Sequence, residues 1–194
     1  MDLMYFELGW QHILNWEGYD HILFVIALSA IYVVNEWKKL LVLVTAFTIG
    51  HSITLALSVL HIIRVSSSLV EFLIPVTICI TALSNILRRD EAPQHLQLNY
   101  FYALFFGLIH GLGFSNYLKS LLGSQANIVK PLLGFNIGLE FGQVLIVAVV
   151  MLVAGIIVNI GRVSRRDWNM FLSSATFGVA FLMVIQGVRA LLNN

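Results

Sequence analysis

The stretch His12-Ile-Leu-Asn-Trp-Glu-Gly-Tyr-Asp20-His21-Ile-Leu-Phe24 brings acids and imidazoles to the mouth of an apolar helix. Asp20 and His21 are adjacent, so on a helix they point about 100° apart and cannot both face lipid without cost. The stretch reads as the entrance to a polar site inside an otherwise apolar molecule. An aspartate at that position can also cap the helix, because the N-terminal end of the dipole favours negative charge.

The remaining composition sets the class. Of 194 residues, 59% are hydrophobic and 11% charged, and the mean hydropathy is +0.88. That is far more apolar than a soluble domain. The expected fold is an all-α, polytopic membrane helix bundle forming one transmembrane domain over residues 1–194. A net charge of +1, with basic residues in short clusters between apolar runs, argues against a nucleic-acid partner. The single cysteine, Cys79, lies in an apolar run, which excludes a disulfide framework and a CxxC metal knuckle. The amino terminus lacks the basic region and small-residue cleavage site of a signal peptide, and is expected to stay on the protein.

Outward from the opening stretch, residues 3–17 mix Leu, Phe and Trp with Glu7, Gln11, His12, Asn15 and Glu17. This predicts a short amphipathic helix lying in the membrane interface, ended by Gly18. Six spans are predicted at about 19–36, 39–61, 69–88, 99–122, 131–158 and 168–190. The loops after spans one, three and five hold seven Lys or Arg (Lys38, Lys39, Arg88, Arg89, Arg162, Arg165, Arg166), and the opposite side holds four (Arg64, Lys119, Lys130, Arg189). The positive-inside bias places the chain in the inner (cytoplasmic) membrane with both termini outside.

That topology sets the depth of each polar group. His51 lies about 18 Å along its helix from the lysines, beyond the midplane of a core about 30 Å thick. His12, Asp20, His21 and Glu71 fall at the outer ends of their helices, and His51, His110 and Glu140 lie near the same level. An unpaired charge near a helix centre costs roughly 2.5–3.5 kcal/mol on insertion scales, so Asp20 and Glu140 need partners. Imidazole mixed with carboxylate suits zinc, nickel, iron or copper rather than magnesium or calcium. The reading is a divalent transition-metal site with His12, Asp20, His21, His51 and His110 as candidate ligands, and Glu140 as an outer carboxylate orienting a histidine. For His51 and His110 the alternative is a structural interhelical hydrogen bond, and His61 and His95 read as loop histidines. Asn136, Glu140 and Gln143 share one helix face, and Thr77, Thr81 and Ser84 or Asn85 recur along another; with Ser52 and Glu71 these are candidate pathway groups. Hydroxyls can bond their own helix, so the threonine stripe alone proves nothing. Phe47-x3-His51 and Phe106-x3-His110 share a spacing, a short hint of an internal repeat.

Gly18-Tyr-Asp20-His21-Ile-Leu-Phe24, Phe47-Thr-Ile-Gly-His51-Ser52-Ile-Thr54-Leu55, Glu71 with Asn85, Phe106-Gly-Leu-Ile-His110-Gly111-Leu-Gly113-Phe114 and Phe135-Asn136-Ile-Gly138-Leu-Glu140-Phe-Gly142-Gln143 resemble, in order, the successive blocks of the HupE/UreJ family of membrane proteins. The resemblance covers roughly residues 9–145. It implies a small helical nickel or cobalt permease associated with maturation of hydrogenase and urease, and carries over to His12, Asp20, His21, His51, His110 and Glu140. The compact His-x4-Asp-His signature of better-known nickel/cobalt permeases is here stretched to seven residues between His12 and Asp20.

Two activities follow from the residues. In a permease the cation loses water to the outer histidines and leaves inward along a polar path, through sites weak enough to release it. In an intramembrane zinc-type hydrolase three ligands hold the metal, a bound water is activated, and Glu140 or Asp20 is the general base for a lipid or membrane-peptide substrate. The first needs a way through; the second needs a closed floor. Expected partners are the lipid bilayer, the metal ion (nickel, cobalt or zinc) and, on the resemblance, metalloenzyme maturation proteins.

Overall fold

The structure, a computed structural model, describes residues 3–16, 18–88, 96–122 and 128–192. Glu17, the polar loop through Arg89 to His95 and the loop 123–127 lie outside them. Among the described residues there are helices and no strand: α1 (Leu3–Leu14), α2 (Asp20–Ser29), α3 (Trp37–Val59, led in by a 3-10 turn at Val34–Glu36), α4 (Ser67–Leu87), α5 (Leu96–Gly113), α6 (Ser115–Leu122), α7 (Val129–Ala154, extended by a π-helical turn Gly155–Ile160) and α8 (Arg165–Leu192). Among the described residues, four segments are long and apolar enough to cross a membrane: Val34–Val59, Ser67–Leu87, Val129–Ile160 and Arg165–Leu192. Their outward faces carry large apolar side chains such as Ile49, Phe141, Leu152 and Phe171, the surface a bilayer solvates.

Helix directions follow from one end of the bundle. There Arg165 pairs with Glu36 and donates to the Ile31 carbonyl, Asn85 Nδ2 donates to the Ala27 carbonyl at 2.7 Å, Asn169 Nδ2 donates to the Asn85 carbonyl at 2.9 Å, and Asn99 Nδ2 donates to the Tyr32 hydroxyl at 3.2 Å. This Glu36 end therefore gathers the C-terminal ends of α2 and α4 with the N-terminal ends of α3, α5 and α8. Gly155, at the end of α7, sits against Val34 there as well. So α2, α4 and α7 run toward the Glu36 end, and α3, α5 and α8 run away from it.

Two helix pairs are held by the same device. In α1 and α7, a Cβ on Gly9 would lie 2.0 Å from the Phe135 carbonyl oxygen, and one on Gly138 2.0 Å from the Phe6 carbonyl oxygen. In α3 and α5, Gly50 meets the Leu104 carbonyl and Gly107 the Phe47 carbonyl, each at 2.2 Å. Farther along, Gly142 meets Ile13 and Gly111 meets the His51 carbonyl, so contacts advance together and each pair is parallel. Only glycine permits such backbone approach. Gly107→Ala forces the helices apart and is expected to cost about 1–3 kcal/mol by overpacking, read as a lower melting temperature in detergent. Gly178→Ala, where a Cβ would meet nothing within 4 Å, is the control that should not melt earlier.

These contacts correct three expectations. Residues 19–36 do not form one helix: α2 ends at Ser29, and the chain reaches α3 through Ala30–Val33 and the 3-10 turn. Residues 99–122 form two helices rather than one, because the helix ends at Gly113, a poor helix former, and restarts at Ser115 with its Oγ on the Leu112 carbonyl at 2.8 Å. The predicted 3–17 helix ends at Leu14 and runs alongside α7 for about two turns. Since α1 runs parallel to α7, and α7 toward the Glu36 end, α1 and α2 point the same way and form one broken segment. The repeat is also re-paired. α3 and α5 are packing partners; the equivalent helices are α3 and α7, sharing Phe47-Thr-Ile-Gly50 and Phe135-Asn-Ile-Gly138, and α1 and α5, sharing Gly9-x-x-His12 and Gly107-x-x-His110. The equivalent helices run in opposite directions, as in an inverted repeat.

Candidate metal centre

Each imidazole of the centre comes from a different helix. His12 is in the last turn of α1, His21 in the first turn of α2, His51 in the interior of α3 and His110 in the last turn of α5. His21, His51 and His110 are buried and His12 is half-buried. One nitrogen from each of His12, His21 and His51 lies within 4.8 Å of the others. The His21 and His110 ring centres are 5.1 Å apart, which sets His110 beside the trio.

Hydrogen bonding decides which nitrogens are free to bind. Asp20 Oδ1 accepts from His21 Nδ1 at 2.8 Å, which holds the proton there and leaves the lone pair on Nε2. The Thr77 hydroxyl gives its hydrogen to the Ile74 carbonyl at 2.6 Å, so at 3.0 Å it accepts from His110 Nε2 and leaves the His110 lone pair on Nδ1. His21 Nε2, His110 Nδ1, His12 Nε2 and both His51 nitrogens are buried without a protein partner. Orphaned buried polar atoms carry a penalty of about 1–3 kcal/mol each, and their convergence fits a cation as the missing partner. Helix ends add to this, since the C-termini of α1 and α5, the negative dipole poles, stop at the cluster. Asp20 offsets the positive pole of α2.

Aromatic walls close the sides. Phe114 lies 4.1 Å from the His12 ring centre and stacks on Phe135 at 4.9 Å, and Phe135 stacks on His51 at 6.1 Å. Residue type does not mark these two phenylalanines in the sequence; their place next to Gly113 and Asn136 does. Above the cluster, away from the Glu36 end, opens a cavity of about 900 Å³ lined by His12, Asp20, His21, Glu71 and Phe114 among others. Pro75 cannot donate to the Glu71 carbonyl, which leaves an extra oxygen at this mouth.

The remaining expected residues lie elsewhere. Asp20 serves His21 as an orienting acceptor, the usual carboxylate–histidine arrangement behind a metal ligand. Glu140 accepts from the Thr45 hydroxyl at 2.5 Å rather than from a histidine. Gln143 Oε1 accepts from Thr48 at 2.7 Å, Ser52 donates back to the Thr48 carbonyl at 2.6 Å, and Asn136 keeps a buried Oδ1 without a partner. Asn85 belongs to the Glu36 end. His61 sits in the exposed turn after α3 with φ of 59°, and His95 lies outside the described residues. Asp20→Asn keeps the shape and loses the charge that fixes the His21 tautomer; metal affinity is expected to fall about 10–100-fold, measured by competition with a chromophoric chelator.

The profile of a family described as HupE / UreJ protein matches residues 2–187. No curated protein and no solved structure matches the chain.

Proposed function

The chain belongs to the HupE/UreJ family, and from that premise we propose that it is a divalent transition-metal permease, nickel or cobalt being the cargo. The observation that carries this reading is the trio His12, His21 and His51, with ligand atoms within 4.8 Å of one another beneath an open cavity. His110, outside that trio, presents an unpartnered Nδ1 beside it, and Asp20 orients His21. In this reading the bundle crosses the bilayer six times, the first crossing made jointly by α1 and α2. Their combined rise is about 33 Å at 1.5 Å per residue, which matches a core of about 30 Å. The Glu36 end, with most of the Lys and Arg, faces the cytoplasm and both termini face out. A break in the first crossing at the ion site is how secondary transporters free backbone and side-chain groups for cargo.

The second reading is a metal-dependent hydrolase of a lipid or membrane peptide. The width of the outer cavity, about 900 Å³, favours it, being far larger than an ion requires. Against it, both carboxylates proposed as general base are engaged, Asp20 by His21 and Glu140 by Thr45. Element analysis of purified protein followed by nickel and cobalt flux in proteoliposomes separates the two. Saturable uptake supports the permease; stoichiometric metal with no uptake overturns it in favour of catalysis.

A further inference from the structure

A second cavity, of about 230 Å³, lies toward the Glu36 end between α2, α4 and α5. Its polar lining includes Tyr32, Thr81, Ser84, Asn85 and Asn99, with Arg88 also on its wall. The outer cavity is bounded by the same three helices at their other ends, through His21 of α2, Ile74 of α4 and Gly113 of α5. The two cavities therefore lie in one column.

The thickness of the partition can be read on each helix independently. From His21 to Leu28, from Ile74 to Ile80 and from Phe106 to Gly113 is six or seven residues in every case, a rise of about 10 Å. Within that layer Phe24, 1% exposed, has its ring centre 5.2 Å from His110 and 6.1 Å from Phe106, and Phe106 already lines the second cavity. Beside these rings runs a line of oxygens. His110 Nε2 meets Thr77 Oγ1 at 3.0 Å, and the Thr81 hydroxyl, on the second cavity, donates to the Thr77 carbonyl at 2.9 Å.

We propose that the cavity at the Glu36 end is the release vestibule for the cation held by the histidine cluster, and that Phe24 and Phe106 form the inner gate. This rests on the permease reading above. Rotation of the two rings opens the layer, and Thr77 and Thr81 offer oxygen to an ion leaving His110. These oxygens bind a transition metal more weakly than imidazole does, which lets the ion go.

The test uses full-length protein in which Cys79 is replaced (Cys79→Ser), with Ser84→Cys or Asn99→Cys added singly, in proteoliposomes of known orientation. A charged, membrane-impermeant methanethiosulfonate is applied to each face; nickel uptake and equilibrium nickel binding are then measured. The expected result is reaction from the Glu36 face alone, uptake falling at least tenfold after modification, and nickel binding retained. Phe24→Ala, in the same assay, is expected to raise passive nickel leak severalfold. Nickel uptake that persists unchanged after both cysteines are modified, or cysteines that react from neither face in protein that still transports, overturns the vestibule while leaving the permease intact. Absence of nickel binding and uptake in the unmodified parent overturns the permease reading and the vestibule with it.

Discussion

His51→Ala protein is expected to purify with no stoichiometric nickel or cobalt and to show no saturable uptake. His51 is the most enclosed member of the trio, 0% exposed with neither ring nitrogen on a protein partner. Its removal takes one of three converging donors from the centre. Loss of an orienting group behind a ligand costs about 10–100-fold in metal affinity, so loss of the ligand itself should exceed about 100-fold. Fold is expected to survive, because alanine deletes two orphaned polar atoms and leaves a small apolar gap. A His51→Ala protein that keeps full metal content would move the centre elsewhere; one that fails to fold would make the imidazole structural. His51→Phe, filling the same space against Phe47 and Phe135, distinguishes packing from ligation, since it should retain stability and still lose metal.

Arg165→Met is expected to be the most destabilising single change at the Glu36 end. The guanidinium pairs with Glu36 and also donates to the Ile31 carbonyl, joining the start of α8 to α3 and to the chain between α2 and α3. Both side chains are largely withdrawn from solvent, at 20% and 14% exposed. Removing one partner leaves Glu36 with Lys39, whose side chain is 43% exposed, and with the Val33 N–H at 3.4 Å. Truncating one side of a buried charged pair costs about 2–5 kcal/mol, much of it the penalty on the group left behind. The measurement is thermal unfolding in detergent at two ionic strengths. A double change, Arg165→Met with Glu36→Gln, should recover part of the loss; no recovery would mean that the Ile31 contact carries the effect.

The membrane class and the helical fold could be read from the chain, because long apolar runs leave the backbone no other way to satisfy its hydrogen bonds in lipid. The interruption near Gly18 could be read as well, since Asn15, Gly18 and Asp20 are poor helix-interior residues. Its consequence could not. That α1 continues as α2 in the same direction depends on Gly9 admitting the Phe135 backbone and Gly138 the Phe6 backbone, contacts between residues more than a hundred positions apart in sequence. The expected repeat of Phe47-x3-His51 with Phe106-x3-His110 shows the same limit: short spacing is shared equally by packing partners and by true equivalents, and only helix direction tells them apart.

For the centre, sequence by itself determined which side chains are anomalous. Four histidines and two acids in apolar surroundings are costly whatever the fold, so they stand out one residue at a time. Tertiary structure decided where each one sits and what it touches. It joined His12, His21 and His51, set Asp20 behind His21 and His110 on Thr77, and took Glu140 away to Thr45. The physical reason is that burial cost belongs to a residue and is written in its type, whereas ligation belongs to the angles and distances between helices. Those are fixed by glycine contacts and hydrogen bonds at the Glu36 end that no local spacing encodes.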